Sequence, residues 1–239
     1  MNKAFYKIRV ISSLIFIGCL ILFNLSCGLE TFYVIESPDN VVHKPDCASI
    51  EHSDNYFEFY TKDTTYDNLR FLGNEVYYKI YKSSDRLNSE ANELINLSNK
   101  EDSSSYAAER MIQSYKFQPL RAAGHEGNSV LFPATGNNQK ITIRLNTYNI
   151  YPAQICIDDG ASIGLPVRNL ERRAYFNFKA ADADSIPKTE DVDVNTNGTS
   201  TDANTWYVSM FAVAVGQDST YSPLYSNILY LGSVQIPVE

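Results

Sequence analysis

The sequence predicts a mainly β body interrupted by a helical hairpin. Three observations predict it. Aromatic side chains are plentiful and tilt to Tyr, with 17 Tyr against 12 Phe and one Trp, which suits sheets with one wet face. Apolar residues alternate with period two in several short stretches. Between these stretches, at 83–118, the apolar spacing lengthens to that of a helix.

The N-terminus has a different grammar. Residues 1–9 carry Lys3, Lys7 and Arg9 and no acid, and residues 10–25 (VISSLIFIGCLILFNL) are an apolar run. A basic start before an apolar core is the grammar of a signal peptide. The run is shorter than the roughly 20 apolar residues of a spanning helix. An uncleaved anchor is the alternative. The run closes on Leu25-Ser26-Cys27-Gly28. A thiol that receives lipid before cleavage needs a small residue in front of it, and Ser26 meets that need. Residues 1–26 are therefore predicted to be a lipoprotein signal peptide, with palmitate or a similar acyl chain on Cys27. Asn24 stands three places before Cys27, where Leu is usual, with Leu25 and Phe23 on either side. Cys19, behind Gly18, is the alternative lipidation site. The relaxed motif resembles the processing site of spirochaete lipoproteins. That resemblance implies a bacterial cell-envelope protein, periplasmic or surface-exposed, held to a membrane by a covalent lipid.

Charge bounds the partners. The three N-terminal cations precede Cys27, so 17 basic and 28 acidic side chains follow, a balance of −11. Such a surface repels phosphate backbones and anionic bilayers, which excludes nucleic acid as a partner and leaves the lipid as the membrane contact. Residues 27–239 are long enough for a substantial core and are expected to form one domain, with an insertion at about 83–200. No cofactor is expected.

Residues 31–36 (TFYVIE) are predicted as the first strand, about four residues beyond Cys27, a reach of only ~13 Å when extended. Residues 55–61 (NYFEFYT) form the second. Residues 75–82 (EVYYKIYK) form the third, with Val76, Tyr78 and Ile80 on one face and Tyr77, Lys79 and Tyr81 on the other. In 85–98, Leu87, Ala91, Leu94 and Ile95 make one buried helical stripe, capped by Ser84 or Asp85. Ala107, Ala108, Met111, Ile112 and Tyr115 repeat the spacing up to Pro119, which completes the hairpin. Strands are then expected at 129–132, 140–146, 154–157 and 173–179. Residues 182–204 read as a long polar, acidic loop. Residues 205–216 and 224–232 close the chain as strands.

The closing aromatic strand (WYVSMFAVAV, 206–215), its polar turn and YSPLYSNI (221–228) resemble the last two strands of a fibronectin type III domain. VYYKIY (76–81) resembles that family's third strand. The resemblance covers about a third of the chain beyond Cys27. It implies a fibronectin III/Ig-like sandwich, a fold used for binding partners or as a spacer. The expected role is interaction or structure, not catalysis, with an unidentified protein partner. The alternative is a periplasmic lipoprotein that binds a small ligand or carbohydrate.

The candidate sites are sparse. Cys47 and Cys156 remain once Cys19 and Cys27 are assigned to the signal, and an exported compartment permits a disulfide between them. Asp193-Val-Asn-Thr-Asn-Gly198 matches the opening of a calcium loop, but its twelfth position is Asn204 rather than Glu, so a turn is the expected reading. His125-Glu126 begins a zincin-like pattern, but Ser129 stands where the second His belongs. His43 and His52 lie far away in sequence, and no metal site is expected. Asp158/Asp159, Asp182/Asp184 and Asp191/Asp193 are acid pairs of the kind that flank a glycosidic bond, and solvated surface is the expected reading. No nucleophile-elbow, phosphate-loop or dinucleotide-binding motif occurs.

Overall fold

The computed structural model describes residues 34–45, 52–64, 69–100, 105–198 and 204–239. The protein is mainly β. In chain order come β1 (Asp39–His43), β2 (Phe57–Tyr60), β3 (Arg70–Tyr81), α1 (Ser84–Ser98) and α2 (Tyr106–Glu109), which runs into a π-helical turn at Arg110–Ser114. There follow β4 (Gln118–Pro119), β5 (Arg121–Ala122), β6 (Phe132–Pro133), β7 (Lys140–Arg144), β8 (Gln154–Ile157), β9 (Ser162–Gly164) and β10 (Pro166–Arg168). The last are β11 (Ala174–Tyr175), β12 (Val194–Asn195), β13 (Thr205–Gln217), β14 (Pro223–Tyr225) and β15 (Leu229–Pro237).

A long antiparallel ribbon of β3 and β13 lies at the centre, with Ile80 opposite Val208, Tyr78 opposite Met210 and Val76 opposite Ala212. The outer edge of β13 takes β15 and β14, and the outer edge of β3 takes β6, β4 and the parallel β12. A second antiparallel sheet runs β1-β2-β7-β8-β9, and a third, small one runs β11-β10-β5. Residues 34–239 form one compact unit.

Alternation assigns the two faces of the ribbon. Val76, Tyr78, Ile80, Val208 and Met210 join Phe57, Phe59, Ile141 and Ile143 of the second sheet in one apolar core. Tyr77, Tyr81, Phe211 and Val213 face the other way and meet Leu87, Ala91 and Leu94 of α1 and Ala107, Ala108 and Met111 beyond it. The ribbon is therefore covered on both faces, which is why nearly every residue of β3 and β13 is buried. Burying one such aromatic or aliphatic side chain stabilises the fold by roughly 1.5–3 kcal/mol.

Bulges curl the ribbon. The register of β3 against β13 shifts between Val215 and Gly216, and Gly73 there has φ +136°. A Cβ on Gly73 would sit 2.1 Å from the Phe132 carbonyl oxygen, so only Gly fits beside β6.

Several sequence-based expectations are corrected. Residues 34–36 are not strand, and residues 31–33 lie outside the described residues; the first strand is β1 at Asp39. Pro38 lacks a backbone donor, which favours pairing that starts after it. The packed body nevertheless reaches back to Ile35, which is 3% exposed. The cap of α1 is Ser83, whose hydroxyl accepts from the Arg86 N–H. The second helix ends at Ser114 rather than beside Pro119, which pairs with Tyr77 in β4. The strand expected at 173–179 shortens to Ala174–Tyr175, because Phe176 and Phe178 leave the ladder to plug the core. The closing strand breaks into β14 and β15 at Ser226, whose hydroxyl accepts from the Ala214 N–H. Within residues 83–200, β7 to β9 complete the second sheet.

Candidate functional site

The segment expected as a solvated acidic loop holds the most constrained polar chemistry among the described residues. Residues 188–195 fold back along β3. The Ile80 N–H donates to the Asp193 carbonyl and the Lys82 N–H to the Asn195 carbonyl, which makes β12 a parallel edge strand. This pairing carries Asp193 out of water completely, at 0% exposure.

Asp193 is met by Arg168, at the end of β10. The guanidinium donates to both carboxylate oxygens, Nε at 2.9 Å and Nη2 at 2.7 Å. The Tyr78 hydroxyl donates to Oδ2 at 2.7 Å and in turn accepts the Asn169 N–H. Asp191 takes Arg168 on one side and Arg172 on the other, at 2.6 to 2.7 Å. Burial alone would raise the Asp191 pKa, but hydrogen bonds from Arg172, the Lys188 N–H and Arg168 outweigh it and hold the carboxyl below the usual range. Burial works against the charge on Arg168, and Asp193 more than restores it. Fork-to-carboxylate pairs of this kind are among the strongest hydrogen bonds a protein makes.

A second cluster lies on the opposite face of β3. Glu90, on the buried stripe of α1, accepts from the Tyr81 hydroxyl at 2.8 Å, from Lys79 Nζ at 3.2 Å and from Asn195 Nδ2 at 2.9 Å. Arg86 completes it at 2.9 Å from the more exposed side. Burial lowers the Lys79 pKa and Glu90 partly restores it. One short segment, 191–195, thus ties down both faces of the ribbon.

These contacts decide the fate of the sequence candidates. Asp193 and Asn195 of the calcium-like stretch are engaged by Arg168 and by Glu90, and the Asn195 Oδ1 accepts the Asn197 N–H in a local turn. Their oxygens do not converge on a cation. Among the described residues, no group of three His, Cys, Asp or Glu side chains has metal-binding geometry. Asp191 and Asp193 serve as anions for arginine, Asp159 pairs with Lys140, and Asp184 pairs with Lys188. His43 stacks on Tyr56 at 3.9 Å, and His125 is exposed in a turn beside Glu126, which pairs with Arg173. The side chain of His52 lies outside the described residues.

Cys156 is buried on β8 and has no disulfide partner among the described residues, and its pKa is pushed up by burial and by Asp159. Its expected partner Cys47 lies outside the described residues, as do Cys19 and Cys27. Among the described residues, no helix is long and apolar enough to cross a membrane.

A separate cavity of about 290 Å³ opens between the ends of β7, β10 and β11. Its walls include Leu145, Leu165 and Pro166, and its polar groups come from Asn146, Thr147, Tyr175 and Asn177. No Asp, Glu, Lys or Arg lines it. The two depressions beside Arg172 are both edged with ionised side chains. The cavity is invisible to motif reading, because its residues are ordinary turn and strand types scattered over some thirty positions.

No family model, no curated protein and no solved structure matches the chain.

Proposed function

We propose that this chain is a lipid-anchored protein of a bacterial cell envelope, with an interaction or structural role carried by a fibronectin III-like sandwich. The observation that carries the reading is the basic start, apolar run and Ser26-Cys27 ending of residues 1–27, placed directly ahead of a compact unit that begins at Val34. From Cys27 to the buried Ile35 the chain spans at most ~28 Å, so the body stays close to the bilayer. The sandwich reading is supported by strand order. In Ig-like folds the first, second and fifth strands share one sheet, and the third strand shares the other with the last two. Here β1, β2 and β7 share one sheet, while β3, β13 and β15 share another. The hairpin of α1 and α2, between β3 and β4, is the addition to that plan.

Radioactive fatty acid fed to producing cells tests the anchor. Labelling is expected in the unaltered protein and absent in Cys27→Ala. Continued labelling of that variant overturns the Cys27 assignment in favour of Cys19. Protease treatment of intact cells then separates a surface role from a periplasmic one. Non-reducing mass mapping tests the Cys47–Cys156 bond, and two free thiols would end that idea.

A ligand-binding role is favoured by one observation, the uncharged cavity between β7, β10 and β11.

A further inference from the structure

The cavity's chemistry narrows its ligand. One residue in five of this chain is charged, yet the cavity lining contains no ionised side chain. An ion entering it would lose water without gaining a counter-charge. Asn146 is 4% exposed, and its Oδ1 accepts the Thr147 N–H at 2.8 Å. Among the described residues, no hydrogen bond reaches the Asn146 Nδ2 or the Tyr175 hydroxyl, although both residues line the cavity. An amide donor without a protein partner at a cavity wall is free to bond water or a ligand. Asn177, exposed at the rim, adds a second amide with both donor and acceptor capacity. Leu145, Leu165 and Pro166 add apolar wall to the same cavity.

A matching ligand has three properties. It is neutral, it carries donors and acceptors along one edge, and it has an apolar face. At about 290 Å³ the space lies at the lower end of ligand pockets, which excludes drug-sized molecules and admits a single ring.

We propose that this cavity binds a neutral pyranose sugar, with its hydroxyl edge on Asn146 and Asn177 and its carbon face against Tyr175 and Leu165. Aromatic rings with a polar tip suit this mixed contact. The inference deepens the ligand-binding reading, and it does not depend on the lipid anchor. Sugar binding without fatty-acid labelling refutes only the anchor, and labelling without sugar binding refutes only the site.

The test uses the full-length chain, isotope-labelled on nitrogen and held in a phosphocholine detergent. It is titrated with glucose, N-acetylglucosamine, the N-acetylglucosamine trimer and, as an anionic control, glucuronate. Saturable shifts of the Asn146 and Asn177 side-chain amides are expected with at least one neutral sugar, at a dissociation constant on the order of 1 mM. Tighter binding of the trimer identifies a glycan end, and equal binding identifies a free sugar. Asn177→Ala, at an exposed position, should weaken binding about fivefold, the loss of one neutral hydrogen bond. Tyr175→Leu keeps an apolar wall and should weaken it further. No saturable shift with any neutral sugar overturns the proposal. So does glucuronate binding as well as glucose, or binding untouched in both variants.

Discussion

The two faces of β3 solve the same problem with different materials. Each face ends in a Tyr hydroxyl that donates to a buried carboxylate, Tyr78 to Asp193 on the side of the second sheet and Tyr81 to Glu90 on the helix side. Each carboxylate is balanced by a cation. On the sheet side that cation is Arg168, a rigid fork with no exposed side-chain surface. On the helix side it is Lys79, a point charge on a flexible stem, helped by Arg86, whose side chain is 42% exposed. Each cluster reaches water through one outer cation, Arg172 on the sheet side and Arg86 on the helix side, but the inner cation is a fully buried fork only on the sheet side. A point charge on a flexible stem holds its carboxylate less firmly than a buried fork, so the helical hairpin should be the first part of the packed body to open.

The largest effect should come from breaking the cluster around Arg168. Arg168→Ala leaves Asp191 and Asp193 buried without their shared counter-charge, and a loss of about 4 kcal/mol in urea unfolding is expected. Arg168→Lys should recover less than half of it, because one ammonium cannot serve Asp191 and both oxygens of Asp193. Full recovery by Lys would show that geometry does not matter there.

Glu90→Ala should cost about 3 kcal/mol and act locally. Hydrogen exchange of α1 should accelerate before that of β2 and β7. Uniform acceleration of all three would erase the contrast between the faces.

A third test uses pH. Glu75, on β3 and fully buried, is pushed up to about 7 by burial, with Arg121 and the Val76 and Leu131 N–H groups pulling the other way. Its folded pKa lies above the ordinary carboxyl value, so the folded chain binds this proton more tightly than the unfolded one. Stability attributable to Glu75 is therefore highest below about pH 4.5 and falls as pH rises through about 7. Glu75→Gln removes that slope. Relative to the parent, the variant should gain on the order of 3 kcal/mol between pH 4.5 and pH 8, measured by chemical unfolding at both pH values. Parallel stability profiles would place the titration elsewhere.

The smallest effect belongs to the cap. Ser83→Ala should cost about 1 kcal/mol and fall on the helix side alone.

Legibility divides along similar lines. β3 could be read because Val76, Tyr78 and Ile80 alternate with Tyr77, Lys79 and Tyr81. The helix could be read from Leu87, Ala91 and Leu94, but Glu90 could not be placed in that stripe, since a carboxylate is expected outside until a buried Lys79 is known to face it. Phe176 and Phe178 alternate like a strand, yet they reach the core without pairing as one. Asp193 reads as the opening of a calcium loop and the pair Asp191/Asp193 as solvated acids, because nothing local announces Arg168, more than twenty residues earlier. The cavity at Asn146 and Tyr175 left no signal, since it joins residues from four segments.

The sequence by itself determined the mainly β class, the long central strands, the helical hairpin and the expectation of export, because apolar period and local composition act over neighbouring residues. Only the tertiary structure decided which polar groups are buried together and where an uncharged cavity opens. Those outcomes depend on partners distant along the chain, and a charge survives burial only where another segment arrives to meet it.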